Sequence, residues 1–309
     1  MEKYQNPKEL YERLSIDRVP YIERAEASAK FTIPALMPPA HTTSMRGSDK
    51  LYQPYQSLGA RGVNSLASNL LMSLLPPNQS FFRLIIDEAA KEDLEDPAII
   101  AEIESNLSKI EQTVQKEIEI QAYRPPIHEA LRLLVVTGNA LIHIDNKGSM
   151  RTFRLDNYVV VRGPDGTPQK IIIKESVHLD TLPPDMVELV QAEASSDKMV
   201  DLYTCIMYVH ETKKYIVFQH VEKVLVPNSE RTYKKDELPY MALRFTRVDG
   251  EDYGRSFVEE HIGDVRSLEG LSQAILEGSA ASAKVLFLVS PNGTTKAKAL
   301  AESSNGAIV

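Results

Sequence analysis

The chain has 309 residues, of which 43% are hydrophobic and 25% are charged, so it can bury a sizeable core in two or three structural units, and wholesale disorder is excluded. Its formal net charge of −8 argues against a protein that grips nucleic acid by neutralising phosphates, because such proteins carry a basic excess or a basic stripe. The single cysteine, Cys205, has no partner for an internal disulfide and indicates folding in a reducing environment, expected to be the cytosol. No run approaches the roughly 20 apolar residues that span a bilayer, so no membrane partner is expected.

Helices are predicted through most of the first half. Asn6, Pro7 and Glu9 form a helix start, with Pro20 expected to kink or restart that helix. A second helix is predicted over residues 55–77, where Gly59 and Gly62 indicate that another backbone comes close.

Three further elements are predicted before the sheet. FFRLIID, residues 81–87, has the composition of a strand. Asp96 and Pro97 predict the cap and first residue of the next helix, and IHEALRLLVVTG predicts a helix that closes on Gly138.

The apolar period changes to two after Ala140, which predicts strands. Turns are predicted at residues 146–148 and 164–166, each between two alternating runs. A short helix is expected around residues 185–194, followed by further strands. Helices first and a mostly antiparallel sheet after them predict an α+β fold.

The sequence contains none of the common catalytic motifs. A phosphate-binding glycine loop ending in Lys-Ser/Thr, GxGxxG, HExxH and CxxC are all absent. The seven histidines are scattered without ligand spacing: His41, His128, His143, His178, His210, His220 and His261. We therefore expect no catalytic residue, cofactor or metal site, although a metal-dependent nuclease built from separated carboxylates stays an alternative.

The segment from Gly254 to Ala283 reads as one helix of about 45 Å with a single apolar stripe. Acidic and basic residues, Glu269 among them, occupy the opposite face, and the small residues 278–283 favour close helix-to-helix approach. An apolar burst at 285–289 follows, with the composition of a strand. Both features predict contacts between subunits, and the candidate positions are Val258, Ile262, Val265, Leu268, Leu271, Ile275, Val285, Phe287 and Val289. The alternative is a monomeric adaptor or binding module whose helix folds back on its own sheet.

An ordered set of segments resembles the head-to-tail connector, or portal, proteins of short-tailed podovirus-type phages. The segments run collinearly from Tyr11 to Gly293, and they are YERLSIDRVPYIERA, SLGARGVNSLASNLLMSLLP, EALRLLVVTGNALIHI, RLDNYVVVR, RVDGEDYGRSFVEEHIGDVRSLEGLSQAI and SAKVLFLVSPNG. No single segment is a generic motif, so the resemblance is specific.

The resemblance implies a non-enzymatic subunit of a ring, usually of twelve copies, at one capsid vertex. Double-stranded DNA would pass through the channel without sequence specificity. The other implied partners are the terminase large subunit, the scaffolding and major capsid proteins, and tail adaptor proteins. The expected location is the virion, after assembly in the host cytoplasm.

The resemblance also implies the domain order. A helical and antiparallel-sheet wing is expected over residues 1–252, a first stem helix over 253–283, and the start of a small α/β clip over 284–309. The rest of the clip, a second stem helix, a channel loop and a crown are expected to be missing from this sequence. Mixed-charge segments such as EDYGR and GDVRSLE are expected to form ion pairs between subunits.

Overall fold

The computed structural model describes residues 6–39, 51–77, 79–87, 97–182, 187, 199–222 and 224–283. Helices come first and antiparallel strands follow, which confirms the α+β prediction. The helices are α1 Pro7–Lys30, α2 Leu58–Leu74, α3 Pro97–Ile120, α4 Arg124–Thr137, α5 Phe257–Glu260 and α6 Ile262–Ser282. The strands are β1 Asn139–Ile144, β2 Met150–Phe153, β3 Tyr158–Arg162, β4 Pro168–His178, β5 Met199–Val209, β6 Lys214–Val221, β7 Val224–Leu225, β8 Arg231–Lys234 and β9 Tyr240–Arg244.

Helix α1 begins where its sequence predicts. The side chain of Asn6 accepts a hydrogen bond from the backbone N–H of Lys8, and Pro7 is the first helical residue. The helix continues through Pro20 without a restart. Buried residues on both sides of the proline, Tyr11 and Ala25 among them, pack this helix on the rest of the chain and offset the lost backbone hydrogen bond.

Helix α4 is the centre of the main core. Nearly all of its second half is buried, from Ala130 to Thr137. It ends at Gly138, which has φ +75° in the left-handed region, as the predicted C-cap requires. The main core gathers side chains from α1, α2, α4, α5 and both sheets around this helix.

The strands form two antiparallel sheets. One has the order β2-β1-β9, and the other has the order β3-β4-β5-β6-β7 with β8 also paired to β6. The two predicted hairpins are confirmed, with Leu141 opposite Phe153 and Tyr158 opposite Ile173. Cys205 lies fully buried in β5, where burial raises the pKa of its thiol to about 12.

The predicted strand at FFRLIID is wrong. Residues 81–87 belong to no strand, and the segment lies along α3, where the N–H of Leu84 donates to a carboxylate oxygen of Glu111. A strand needs a neighbouring backbone to pair with, and strand composition alone does not supply one. Helix α3 is described from Pro97 onward and has no buried residue; its predicted cap, Asp96, lies outside the described residues. The short helix expected around residues 185–194 falls almost wholly outside the described residues.

The two glycines of α2 behave differently. A Cβ at Gly59 would stand 2.6 Å from the carbonyl oxygen of Phe31, so the predicted close backbone approach is confirmed there. At Gly62 no atom lies within 4 Å of a Cβ position, so the prediction is wrong for that residue.

The prediction of one uninterrupted helix from Gly254 is also wrong. Gly254 is buried beside β1, where its N–H donates to Oδ1 of Asn139 at 2.7 Å and its carbonyl accepts from Nδ2 of the same residue at 3.0 Å. These bonds hold the chain extended, so helical structure starts at Phe257 and is interrupted at His261. The 21 residues of α6 give a rod of about 32 Å rather than 45 Å.

Candidate assembly surface

Helices α5 and α6 leave the folded body at a well-anchored start. The hydroxyl of Ser256 accepts a hydrogen bond from the N–H of Glu259 at 2.9 Å and so caps α5. Val258, two residues later, is 6% exposed and belongs to the main core. The first turn is therefore fixed, and the direction of the following helix depends on it.

The structure divides the predicted apolar stripe into three parts. Val258 and Ile262 pack on the core of their own chain, and Val265 and Leu268 are half-buried. Leu271 and Ile275 are 63% and 67% exposed. Among the described residues, Leu271 and Ile275 are thus the members of the predicted stripe that stay largely exposed.

The exposed part includes one residue that the sequence stripe missed. Leu276 is 53% exposed and adjoins Ile275 in the chain. Residues 271–276 contain four apolar residues, and the fourth, Leu276, widens the apolar stripe around the helix. This density of apolar residues was the signal available in the sequence. Val285, Phe287 and Val289 lie outside the described residues.

A groove runs between α2 and the start of α6. Its volume is about 590 Å³, and its lining is mainly apolar. Leu58 and Leu66 of α2 face Val265 and Leu268 of α6 across it. The half-buried part of the stripe is thus continuous with a groove that is open to solvent.

The sequence pattern predicted that Glu269 lies on an exposed polar face, and this prediction is wrong. It is 4% exposed, and its Oε1 accepts hydrogen bonds from the hydroxyl of Tyr52 at 2.6 Å and from the N–H of Tyr55 at 2.9 Å. Burial acts to raise the pKa of Glu269, but these hydrogen bonds outweigh it, so the pKa lies below the ordinary value. The hydrogen bond to Glu269 raises the pKa of Tyr52 to about 12.

The charged EDYGR segment forms its ion pairs within the chain. Arg255 binds Glu251 at 2.6 Å and Glu259 at 2.8 Å, and Arg24 of α1 lies 3.4 Å from Glu259. Hydrogen bonds to both carboxylates raise the pKa of Arg255, and the bond from Arg255 lowers the pKa of Glu251. These groups brace the start of α5 and are already paired before any subunit contact forms.

The histidines within the described residues do not gather at one site, and His41 lies outside those residues. His143 stacks on the ring of Tyr240 with 4.2 Å between ring centroids, and burial lowers its pKa. Within the described ranges, no group of three or more His, Cys, Asp or Glu side chains is placed to hold a metal ion. A search of the same ranges for membrane-spanning segments finds no helix with the necessary length and apolarity.

Comparison with known proteins matches nearly the whole chain to the model of one protein family. The model of the family described as bacteriophage head to tail connecting protein matches residues 5–307. The chain is 39% identical over 311 residues to the portal protein of Escherichia phage T7 and 40% identical over 310 residues to that of Enterobacteria phage T3, covering 98% of this chain in each case. The portal protein of Enterobacteria phage SP6 is 29% identical over 307 residues and 97% of this chain. The chain spans 57% of the length of the first two relatives and 58% of the third.

Proposed function

Because the chain belongs to the bacteriophage head-to-tail connecting protein family, we propose that it is a structural subunit of a portal ring at one capsid vertex. The relatives that it matches are named portal proteins, which supports a structural role rather than a catalytic one. The proposed ring, with twelve subunits as the expected number, is the channel for packaging and ejection of double-stranded DNA. It also docks the terminase large subunit and tail adaptor proteins, and it contacts the scaffolding and major capsid proteins during assembly in the host cytoplasm.

The observation that carries the ring proposal is the exposed outer half of α6. Leu271 and Ile275 are more than half exposed on a helix that leaves the folded body. Burial of apolar surface stabilises association by roughly 25 cal/mol per Å², so these side chains favour a neighbouring copy. Each chain carries a net charge of −8, so copies of the chain repel one another. Salt screens this repulsion over a Debye length of about 8 Å at physiological ionic strength. Short-range packing has to overcome that repulsion.

We assign the parts of the subunit accordingly. Residues 1–252 are proposed as the wing, 253–283 as the first stem helix with its exposed stripe, and 284–309 as the start of the clip. Val285, Phe287 and Val289 are proposed to add to the subunit contacts. The hydrogen bonds between Asn139 and Gly254 support a firm junction between wing and stem.

The proposal is tested by measuring the particle mass of the full-length protein at micromolar concentration and by imaging the particles. We expect closed rings for the wild type, and subunits or open fragments for the double variant Leu271→Glu/Ile275→Glu, since two buried carboxylates oppose association. Ile16→Glu/Val19→Glu is the matched control, because both residues are exposed on α1. A wild-type protein that stays monomeric would instead support an adaptor, and rings that tolerate the α6 substitutions would remove this stripe from the interface.

A further inference from the structure

Three arginines from separate parts of the chain converge on one cavity. Arg162 ends β3, Arg244 ends β9, and Arg247 follows in the next loop. They line a cavity of about 410 Å³ together with the turn glycines Gly163, Gly166 and Gly250. This cavity is separate from the α2–α6 groove, and the proposed ring contacts do not use it.

Gly166 allows two of these guanidinium groups to approach one point. The residue has φ +81°, and a Cβ there would stand 3.0 Å from Nη2 of Arg244 and 3.2 Å from Nη1 of Arg247. The backbone conformation favours glycine, and the missing side chain leaves room for both cations. Two positive charges thus flank the same small space beside the turn.

Within the described part of the chain the Asp252 carboxylate partly balances the charges of Arg162 and Arg244, and it forms no ion pair with either. Arg162 donates to three backbone carbonyls, of Asp252, Gly166 and Ala242, and these bonds hold its guanidinium in place. Arg244 donates Nη1 to the carbonyl of Glu251 at 2.8 Å. Neither Arg244 nor the exposed Arg247 forms an ion pair with any described acid. Burial and the neighbouring positive charge of Arg247 lower the pKa of Arg244, because both disfavour its charged form.

The three acids at the rim form no ion pair with Arg244 or Arg247 in the described part of the chain. The carboxylate of Glu251 binds Arg255 at 2.6 Å. Oδ1 of Asp252 accepts the backbone N–H of Arg162 at 2.7 Å. Asp249 is exposed. The cavity therefore keeps a cationic side formed by Arg244 and Arg247.

From this geometry we propose that the cavity binds a phosphate-type oxyanion between Arg244 and Arg247. A guanidinium presents several N–H donors in a fixed plane and binds phosphate through paired hydrogen bonds. Two such groups approaching from different residues match the several oxygens of a tetrahedral anion, whereas one guanidinium already satisfies both oxygens of a planar carboxylate. The phosphate group can belong to a free phosphate, a nucleotide or the phosphodiester backbone of a nucleic acid, all of which share this chemistry.

Titration of the full-length protein with inorganic phosphate, followed by calorimetry, tests the site. We expect saturable binding that Arg247→Gln weakens by roughly tenfold or more, the factor for losing a charge-assisted hydrogen bond. Arg247 is exposed and forms no ion pair with the described residues, so this variant is expected to fold. Arg231→Gln on the exposed strand β8 removes the same charge elsewhere and should leave the affinity unchanged. Arg244→Gln is a second variant on the other side of the cavity and should weaken binding in the same way.

A labelled oligonucleotide, followed by fluorescence anisotropy, distinguishes the sources of phosphate. Binding that inorganic phosphate displaces and that Arg247→Gln weakens assigns the site to a phosphodiester backbone, while binding of inorganic phosphate alone assigns it to a small phosphate ligand. The proposal is overturned if no saturable phosphate binding occurs, or if Arg231→Gln weakens binding as much as Arg247→Gln does. It is also overturned if Arg247→Gln breaks subunit association in phosphate-free buffer, because the arginines would then bind carboxylates of a second copy.

Discussion

The phenolic hydroxyl of Tyr52 donates a 2.6 Å hydrogen bond to Oε1 of Glu269, across 217 residues of sequence. The bond ties the segment before α2 to the middle of α6, immediately before the exposed part of the apolar stripe. The ring of Phe31 lies close by, with the guanidinium of Arg266 5.7 Å from its centre. The direction in which α6 leaves the body thus depends on a buried carboxylate as well as on the apolar contacts of Val258 and Ile262.

This carboxylate gives the stability of the protein a defined pH dependence. Its pKa in the folded state lies below the ordinary value of 4.5, so its stabilising contribution is fully present above about pH 4.5 and is lost as the pH falls through the lower, folded-state pKa. We expect Glu269→Gln to lower the free energy of unfolding by about 1.5 kcal/mol near neutral pH, with the difference from wild type shrinking below pH 4.5. Urea unfolding followed by circular dichroism at several pH values measures this difference. A difference that stayed constant down to pH 3 would contradict the assignment.

Gly138 should tolerate no side chain. A Cβ there would stand 2.6 Å from the carbonyl carbon of Arg255 and 2.8 Å from two further backbone atoms, and φ is +75°. We expect Gly138→Ala to lower the free energy of unfolding by about 3 kcal/mol or more. Gly62→Ala is the control, because nothing lies within 4 Å of its Cβ position, and it should raise stability by about 0.5–1 kcal/mol. Equal effects of the two substitutions would show that the Gly138 contact is not a constraint.

Tyr253 should be needed for its hydroxyl as well as for its ring. The hydroxyl oxygen accepts the backbone N–H of Val160 at 3.1 Å, in a buried position. Tyr253→Phe leaves that N–H without its acceptor, and we expect a loss of about 1–3 kcal/mol in the free energy of unfolding. Tyr208→Phe is the control on a half-buried tyrosine, and it should cost less. Thermal or urea unfolding measures both variants, and equal stability of Tyr253→Phe and wild type would exclude the proposed role of this bond.

Phe287 is predicted to take part in subunit pairing through its backbone. Phe287→Pro removes a hydrogen-bond donor and fixes φ, so we expect fewer closed rings, with the sheet and helix content of residues 1–252 retained. Phe287→Leu keeps the donor and should assemble like wild type. The fraction of rings on electron micrographs measures the outcome, and normal ring yield from the proline variant would withdraw the segment from the interface.

Local patterns in the sequence determined most of the secondary structure. The cap at Asn6, the left-handed end at Gly138 and the two hairpins follow from neighbouring residues, because turn and cap geometry depends on a few adjacent side chains. The α+β class follows from the change of apolar period after Ala140. The family resemblance was also readable from the sequence, since it rests on collinear segments rather than on any contact.

Only the tertiary structure decided which of these patterns find partners. FFRLIID has the composition of a strand but lies along α3, because strand pairing depends on a neighbour that composition does not encode. The sequence pattern predicts Glu269 as a surface residue, but in the fold it is buried and accepts a hydrogen bond from Tyr52. The stripe of α6 reads as one surface, yet the packing of the chain buries its first turn and leaves Leu271 and Ile275 exposed.

The cationic cavity is a second feature that the tertiary structure decided and the sequence pattern did not predict. The net charge of −8 and the absence of a basic stripe in the sequence argue against gripping of nucleic acid over a broad surface. Arg162 is 82 positions from Arg244 in the sequence, and no local pattern connects them. In the fold, Arg162 donates to the carbonyls of Gly166 and of Ala242 in β9, and Nη2 of Arg244 lies 3.0 Å from the Cβ position of Gly166. Charge density at a site depends on distances in space, and the fold alone sets those distances.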